Sequence, residues 1–369
     1  MKDGLRVTRA LINLDNLKHN LNEARRRVGE RRIMAVVKGN AYGHGMTGIS
    51  RFLEKEGIEY LGVALIEEGI QLRQAGIKTP ILILGGIQEE EAAEAVRNKL
   101  AVNLCSMELA ESLSKAALQL QETAVVHVKV DTGQVRYGLL PGDVPAFMEK
   151  ISVLKGIYPE GIFSYGASGE KLGIFLKLLE TLEDRGFTFP IRHIASSASV
   201  NNRQEESYLD MVRIGLFLHG SGRDAASQGT KPVFSLKSAV AFVKTIPAGK
   251  FSFYGLGYEL KEPTDIAVIA MGYGDGYPKA LSHKGEVLIR GRRFPIIGIG
   301  MDTLRVDTGR NGIRAGEEVR IIGKQGEEEI TVYEVARKLG IGVNELTGLI
   351  AARVPRVFME KGGTAEWLN

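Results

Sequence analysis

The stretch IMAVVKGNAYGHG, residues 33–45, joins a short apolar run to a lysine and then to a loop with three glycines. The apolar part is as long as a strand and does not alternate with polar residues, which is typical of a strand buried on both faces. Lys38 follows directly, so the stretch predicts a buried strand that ends at an ionisable side chain. Similar runs follow at 60–64, 81–84, 100–104, 125–130, 161–165, 191–195 and 211–214.

Helix-like stretches lie between most of these runs, at 66–75, 88–98, 107–118 and 171–184. Eight strands alternating with helices over about 190 residues predict an α/β fold, and in particular a (β/α)8 TIM barrel. A doubly wound open sheet would show the same periodicity and is the competing fold. No GxGxxG motif follows the first run, which disfavours a dinucleotide-binding sheet of that kind.

The pattern changes near residue 230, and only 332–339 clearly predicts a helix beyond it. The sequence therefore predicts a barrel domain over 1–230 and a C-terminal, mostly-β domain over 231–369, joined at 229–232. The β-type runs of the second part are 238–246, 266–271, 286–290, 294–299, 318–322 and 329–332.

The composition excludes several classes of protein. The chain has 369 residues, of which 44% are hydrophobic, and a formal net charge of +4, which excludes a disordered chain. No apolar run is long enough to cross a membrane, and scattered basic residues disfavour nucleic-acid binding. The only cysteine, Cys105, indicates a cytoplasmic protein without internal disulfides, and the six histidines show no zinc-ligand spacing. Glycine, at 45 residues, is the one unusual count.

The ends of the predicted strands carry the groups that suggest a reaction. A lysine at the end of a buried strand is desolvated, which favours the neutral amine that Schiff-base chemistry needs. From position alone, a lysine that reaches solvent is the commoner interpretation. The loop after Lys38 favours a site, because its glycines allow close approach and Tyr42 offers a hydroxyl. Ser197, Gly215 and Leu216 follow the last two strands, where such barrels commonly bind phosphate. Together these features predict a pyridoxal 5'-phosphate (PLP) site.

AVVKGNAYGHG (35–45) resembles the PLP-lysine motif of the alanine racemase family. The resemblance continues, in order, through DTGQVRYG (131–138), MVRIG (211–215), FYGLGY (253–258), MGYGDGYP (271–278), GMDT (300–303) and RVPRVF (353–358). It implies a barrel plus a β domain, with an N-terminal strand near residues 1–14 joining the second domain. It also implies PLP as cofactor, a homodimer with shared sites, and interconversion of the L and D forms of a small amino acid, alanine.

The same resemblance implies a role for each matching residue. Lys38 corresponds to the lysine that binds PLP and serves as the base on one face of the substrate. Tyr254 corresponds to the base on the opposite face, supplied by the partner subunit. Arg213 corresponds to the donor to the pyridine nitrogen, and Arg136 to the arginine near the PLP phenolic oxygen and the substrate carboxylate. Lys129 corresponds to a lysine that is carbamylated in many relatives.

The remaining implied roles concern the phosphate and the mouth of the site. Tyr42, Ser197, Gly215 and Leu216 correspond to phosphate ligands. Tyr273 corresponds to a residue of the substrate entrance. Met301, with Asp302, corresponds to residues of the partner subunit near the substrate carboxylate.

Departures from the family pattern lie around the predicted pocket. Tyr165 stands where the family has a histidine that packs on PLP, and Ala352 replaces a tyrosine that contacts the phosphate. The segment 298–302 is one residue shorter than its counterpart. We therefore expect retained racemase chemistry with an uncertain substrate range, extending to serine, lysine, arginine or other larger side chains. Two further functions compete with a racemase: a PLP-binding protein without turnover, and a decarboxylase.

Overall fold

The computed structural model describes residues 6–167, 169–222, 225, 227–253 and 256–365. The strands are β1 (Arg9–Asn13), β2 (Arg32–Val36), β3 (Tyr60–Val63), β4 (Ile81–Ile83), β5 (Ala101–Leu104), β6 (Ala124–Lys129), β7 (Ile157–Phe163), β8 (Ile191–His193), β9 (Met211–Ile214), β10 (Phe234–Ile246), β11 (Gly249–Phe253), β12 (Leu256–Leu260), β13 (Thr264–Ile269), β14 (Glu286–Ile289), β15 (Arg292–Ile299), β16 (Leu304–Asp307), β17 (Glu318–Gln325), β18 (Glu328–Ile330), β19 (Arg356–Glu360) and β20 (Gly363–Thr364). The helices are α1 (Leu14–Val28), α2 (Lys38–Tyr42), α3 (Met46–Lys55), α4 (Ile66–Gln74), α5 (Ala92–Arg97), α6 (Met107–Leu120), α7 (Val144–Ile151), α8 (Glu170–Asp184), α9 (Ser197–Asn201), α10 (Leu216–His219), α11 (Val332–Leu339) and α12 (Val343–Leu349).

The first half of the chain builds an eight-stranded parallel sheet that curls into a barrel. The strand order is β8-β7-β6-β5-β4-β3-β2-β9, and neighbouring strands in it run parallel. A parallel bridge between Ser196 and Arg213 brings the two ends together. The predicted (β/α)8 barrel is therefore confirmed, and the open doubly wound sheet is excluded.

Burial explains why these strands read as continuous apolar runs. All residues of β3, β5 and β9 are buried, because the barrel interior covers one face and the outer helices cover the other. The long helix α1 buries one side only, through residues such as Leu14, Leu17 and Leu21, as a surface helix of a barrel should. Side-chain caps define where some of them begin: the Asn13 side chain accepts from the Asn16 backbone N–H at 2.8 Å at the start of α1.

The second half forms a mostly antiparallel sheet of ten strands that includes β1. β1 pairs antiparallel with β10 and parallel with β19, so residues 9–13 join the sheet formed mainly by the end of the chain. The division of the chain at residue 230 stays a prediction. Helix α11 matches the predicted 332–339, whereas α12 has no counterpart in the sequence-based prediction. Its seven residues include a glycine and β-branched residues, so propensity is weak, and packing against α11 and α2 supplies the stability.

Two further features of the fold bear on the predicted function classes. None of the helices within the described ranges is long and apolar enough to cross a membrane. No group of three or more His, Cys, Asp or Glu side chains in the described part of the chain is arranged to hold a metal ion.

Candidate active site

A cavity of about 450 Å³ opens at the carboxyl ends of the barrel strands. Its volume lies within the usual range for small-molecule sites. Four cationic side chains line it, and no aspartate or glutamate among the described residues does. The lining therefore favours an anionic ligand. The four cations are Lys38, Lys129, Arg136 and Arg213.

The chain leaves β2 in a single turn of left-handed helix, α2. Gly39, Asn40, Ala41 and Tyr42 have φ values of 60°, 55°, 52° and 52°. The turn is closed by Ala41 N–H donating to the Val37 carbonyl at 2.7 Å and Gly43 N–H to the Gly39 carbonyl at 3.0 Å. A left-handed turn costs about 1–2 kcal/mol for each non-glycine residue, so the surrounding fold must hold it in place. The turn aims Lys38 and Tyr42 into one cavity.

Lys38 is only partly exposed, and its surroundings favour the neutral amine. Burial, and next the charge of Arg136, lower the pKa of Lys38, while Glu68 partly opposes them. Glu68 also holds the turns on either side: its carboxylate accepts from Gly39 N–H at 2.7 Å and from Ala64 N–H at 2.8 Å. The backbone on which Lys38 sits is thus tied to the loop after β3.

Arg213 and Lys129 both lie close to one aromatic ring, that of Phe163. The Arg213 guanidinium carbon is 5.4 Å and Lys129 Nζ 4.8 Å from the centre of the Phe163 ring. Lys129 is 4% exposed, and burial, followed by the charge of Arg213, lowers the pKa of its amine to about 7. Burial also lowers the pKa of Arg213 to about 10, so this guanidinium still carries its charge near neutral pH. One of the two buried cations is therefore permanent, and the other is close to half neutral.

Asp131 fixes the loop that carries Arg136. Its carboxylate accepts from the backbone N–H groups of Gly133, Gln134 and Arg136 at 2.8, 2.6 and 2.9 Å. Burial alone would raise the pKa of Asp131, but these three donors outweigh it and lower the pKa. The loop bends back over the cavity, where the Arg136 guanidinium carbon lies 5.8 Å from the Tyr165 ring centre.

The opposite end of the cavity has the features of a phosphate cradle. A Cβ on Gly215 would lie 2.8 Å from the Tyr42 hydroxyl, so only glycine lets this tyrosine approach the backbone. Ser197 Oγ accepts from Gly215 N–H at 3.1 Å and from Phe217 N–H at 3.2 Å. Burial raises the pKa of Tyr42 to about 12, which keeps its hydroxyl protonated and able to donate.

Most of the residues predicted from the sequence for the site come together. Nine of them line the one cavity: Lys38, Tyr42, Lys129, Arg136, Tyr165, Ser197, Arg213, Gly215 and Leu216. Tyr273 and Met301 do not line it. They lie on two loops of the second half that are joined by Tyr273 N–H to the Gly300 carbonyl at 2.9 Å, and they are 43% and 53% exposed. Tyr254 lies outside the described residues.

Several residues of the site were not predicted from the sequence. Phe163 is the ring that lies close to both Lys129 and Arg213, and its place in the middle of the predicted run 161–165 carries no signal of a site. Asn344 lines the cavity from α12, and no sequence pattern points to it because α12 itself was not predicted. Glu68 and Asp131 hold the flanking loops through backbone hydrogen bonds, which no residue spacing reveals.

A parallel barrel with a lysine and an anion cradle at its strand ends, followed by an antiparallel β domain, defines a class of barrel enzymes that act on small anionic ligands. Residues 12–222 match the family model of the alanine racemase N-terminal domain, and residues 233–358 match that of the C-terminal domain. The chain belongs to the alanine racemase family.

Individual relatives resemble the chain over nearly its whole length. Alanine racemase 1 of Caldanaerobacter subterraneus is 36% identical, with 98% of this chain and 97% of the relative covered. The alanine racemase of Methanococcus maripaludis is also 36% identical, with 95% and 98% covered. Among solved structures, an alanine racemase of Clostridium difficile superimposes with a TM-score of 0.92 at 33% identity, covering 99% of this chain and 98% of that one. The alanine racemase from Bacillus anthracis with bound L-Ala-P gives a TM-score of 0.91 at 29% identity, with 98% and 97% covered.

Proposed function

We propose that the protein is a PLP-dependent amino-acid racemase that interconverts L- and D-alanine. The observation that carries the proposal is Lys38, an amine with a lowered pKa in a cavity lined by cations and free of carboxylates among the described residues. The family and the alanine racemases that match the whole chain support the same reaction.

The residues of the cavity fit PLP. The cofactor carries a phosphate, a phenolic oxygen and an aldehyde, and the cavity offers donors for the first two and an amine for the third. Tyr42, Ser197 and Gly215 would hold the phosphate, Arg213 the ring nitrogen, and Lys38 the aldehyde carbon. When bound, PLP withdraws electrons from Cα of an attached amino acid and so makes the Cα proton acidic.

The protein's own groups then have distinct tasks. Arg213 donates hydrogen bonds and has no acceptor, so it would bind a ring nitrogen that carries no proton and would leave it unprotonated. Arg136 would bind the substrate carboxylate. Lys38 Nζ, when neutral, would take or return the Cα proton on one face, and Tyr254 of the partner subunit would do so on the other. Racemisation needs two such groups on opposite faces, which one loop cannot supply.

A homodimer completes this proposal. Tyr273 and Met301 are large side chains that project from the second half of the chain without lining its own cavity. In a two-fold dimer each would meet the cavity of the partner subunit. The single cysteine fits a cytoplasmic enzyme.

A racemase of broader specificity is the second candidate. Ala352 is exposed and does not line the cavity, so the volume that a tyrosine would fill at this position is open. Formation of the D form from a panel of L-amino acids separates the two candidates. Activity confined to alanine would exclude the broader one.

The proposal is tested on the protein purified with PLP. We expect a visible absorption band that borohydride abolishes, and peptide mapping that finds the reduced cofactor on Lys38. L-alanine should yield D-alanine, and D-alanine should yield L-alanine at a rate that satisfies the equilibrium constant of unity. The cofactor found on another lysine, or on none, would overturn the proposal, as would CO2 release in place of racemisation.

A further inference from the structure

A chain of hydrogen bonds runs away from the cavity through the centre of the barrel. Arg213 Nη1 lies 2.7 Å from His193 Nδ1, and His193 Nε2 lies 2.9 Å from His127 Nδ1. His127 Nε2 lies 3.1 Å from Glu160 Oε2, which also accepts from the Tyr60 hydroxyl at 2.7 Å. Both histidines are fully buried. We name this the Arg213–Glu160 chain.

The two ends of the Arg213–Glu160 chain fix the direction of every hydrogen bond in it. Arginine only donates, so His193 Nδ1 must accept, and a neutral His193 therefore carries its proton on Nε2. That N–H donates to His127 Nδ1, so His127 also carries its proton on Nε2, and this proton points at Glu160. An ionised carboxylate only accepts, which agrees with the direction set at the other end. Burial lowers the pKa of both histidines, which keeps them neutral.

The Arg213–Glu160 chain also connects a buried cation, Arg213, to an anion, Glu160. Arg213 is 6% exposed, and its guanidinium otherwise donates to the carbonyls of Ser164, His193 and Ile194, with no carboxylate within hydrogen-bond distance among the described residues. A buried cation without a counter-charge is costly. Glu160 is the anion at the far end of the chain. Hydrogen bonds from His127 and Tyr60, the first of which has the larger effect, lower its pKa against the cost of burial.

The position of the chain separates it from the substrate side. Arg213 lies on β9 at the cavity, His193 is the last residue of β8, His127 lies within β6, and Glu160 lies in the middle of β7. Tyr60 is the first residue of β3, so the Glu160 end is displaced toward the amino ends of the strands. Glu160, His127 and His193 do not line the cavity and cannot touch a ligand in it.

We propose that Glu160, His127 and His193 are positioning residues for Arg213: they orient the guanidinium that faces the cavity and balance its charge through the barrel core. The direction of the hydrogen bonds does not depend on the function proposed above. The effect of Glu160 on a bound cofactor, through Arg213, does rest on that proposed function. The two parts have separate tests.

The first test is 15N NMR of the cofactor-free protein labelled at histidine and arginine. In the native sequence, His127 and His193 should both be neutral with the proton on Nε2 at pH 7. A Glu160→Gln variant keeps an oxygen that accepts from His127 and removes only the charge. Its effect should spread along the chain, shifting the resonances of His127, His193 and the Arg213 Nη groups. The native measurement needs no variant, so it stands even where Glu160→Gln folds poorly.

Glu54→Gln is the matched control. Glu54 is another carboxylate with a lowered pKa, and it accepts from Thr79 N–H at 2.7 Å on the outside of the barrel, with no hydrogen-bonded path to Arg213 among the described residues. It should leave the His127, His193 and Arg213 resonances unchanged. A proton on Nδ1 of either histidine, or Arg213 resonances that respond no more to Glu160→Gln than to Glu54→Gln, would overturn the proposal.

The second test uses the PLP-loaded enzyme. Glu160→Gln should shift the visible band of the cofactor and lower kcat on the order of tenfold with little change in KM, because the charge acts on Arg213 and not on the carboxylate-binding Arg136. Glu160→Asp, which restores the charge, should recover most of the band position and of kcat. If Glu160→Gln has the same visible band and the same kcat as Glu54→Gln, then Glu160 has no effect on the cofactor. Altered resonances with no racemase activity in the native enzyme would instead count against the proposed function alone.

Discussion

The barrel side and the β-domain side of the predicted site are built in opposite ways. On the barrel side, Lys129 and Arg213 are almost fully buried. On the β-domain side, Tyr273 and Met301 are about half exposed, and the two loops that carry them are hydrogen-bonded to each other. The barrel side therefore holds its charges in fixed, buried positions, whereas the β-domain side presents exposed side chains to solvent.

This difference between the two sides agrees with the proposed dimer, in which two copies of the chain share each site. A barrel can hold buried cations because backbone carbonyls and neighbouring rings surround them. The second half presents large side chains to solvent at positions that its own cavity does not use. In the homodimer proposed above, the barrel of one chain would supply the floor of the site, and Tyr273 and Met301 of the partner subunit would cover it.

Complementation between two inactive variants is the strongest test of whether two chains share each site. We expect Lys38→Ala and Tyr254→Phe each to abolish nearly all racemisation as separate proteins. After unfolding and refolding together, half the dimers are mixed, and each mixed dimer holds one site with both native residues. The mixture should regain about one quarter of native activity.

The control for complementation uses two variants of the same side. When Lys38→Ala is refolded with Arg213→Ala, one barrel of each mixed dimer lacks Lys38 and the other lacks Arg213. No site is then complete, so the mixture should stay inactive. No activity regained with Tyr254→Phe would mean that each site comes from one chain. Activity regained in the control would mean that Lys38 and Arg213 of one site come from different chains.

Removing Asp131 should show how much the barrel side depends on preorganisation. Asp131→Ala deletes the acceptor of three backbone N–H groups and frees the loop that carries Arg136. We expect KM for alanine to rise about 10- to 100-fold, with a stability loss of about 1–3 kcal/mol. Steady-state kinetics and urea unfolding measure both effects.

The same carboxylate predicts a direction for the effect of acid. Because its pKa is lowered in the folded protein, Asp131 stabilises the fold above its unfolded pKa, and this contribution is lost as the pH falls through the lowered value. Asp131→Ala should therefore flatten the acid side of the stability curve. Asp143→Ala, which removes an exposed carboxylate before α7, is the control and should change neither KM nor that slope.

The barrel was predictable because its strands are buried on both faces. That burial leaves short continuous apolar runs, and all eight matched strands of the structure within a few residues. The site residues at the strand ends were predictable for the same reason, since a polar residue directly after such a run must lie at the open end of the barrel. Lys38 is of this kind, whereas Lys129 and Arg213 lie inside the predicted runs 125–130 and 211–214, near their carboxyl ends.

What the sequence does not reveal depends on backbone geometry and on packing between distant elements. The left-handed turn at 39–42 is stabilised from outside, and residues such as Ala41 and Tyr42 have no preference for it. Helix α12 is short and weak in propensity, so Asn344 could not be assigned to the cavity. The Arg213–Glu160 chain joins residues from four separate strands, and only the register of the barrel brings them into contact.

On the barrel side, the buried amine of Lys129 predicts a smaller effect, which is on the pH dependence of stability. Its pKa of about 7 lies below that of an unfolded lysine, so between about pH 7 and 10 the unfolded chain binds more protons and stability rises with pH. In CO2-free buffer, Lys129→Met should remove this slope and stabilise the fold by about 2 kcal/mol at pH 7.5, as measured by urea unfolding. An unchanged slope would show that Lys129 keeps its charge in the folded protein.

The neutral amine of Lys129 is also the form that reacts with CO2. Labelled bicarbonate should therefore give a carbamate carbon signal in 13C NMR of the native protein, and Lys129→Met should lack it. A signal that persists in the variant would assign the carbamate to another amine. Lys38, whose pKa is also lowered, is the competing site.

Ala352→Tyr should have the smallest effect, because it adds to the incomplete β-domain side without touching the barrel. Ala352 lies in the turn between α12 and β19, next to Arg353, whose Nε donates to Asp275 Oδ1 at 2.6 Å and so anchors the turn. A tyrosine there should add one hydrogen bond to the phosphate and lower the PLP dissociation constant about 2- to 10-fold. Ala352→Phe, which adds the ring alone, should leave that constant nearly unchanged. Both variants should reduce turnover of amino acids larger than alanine, since the ring fills the open mouth. Equal tightening by the two variants would mean that packing, and not the hydroxyl, completes the β-domain side.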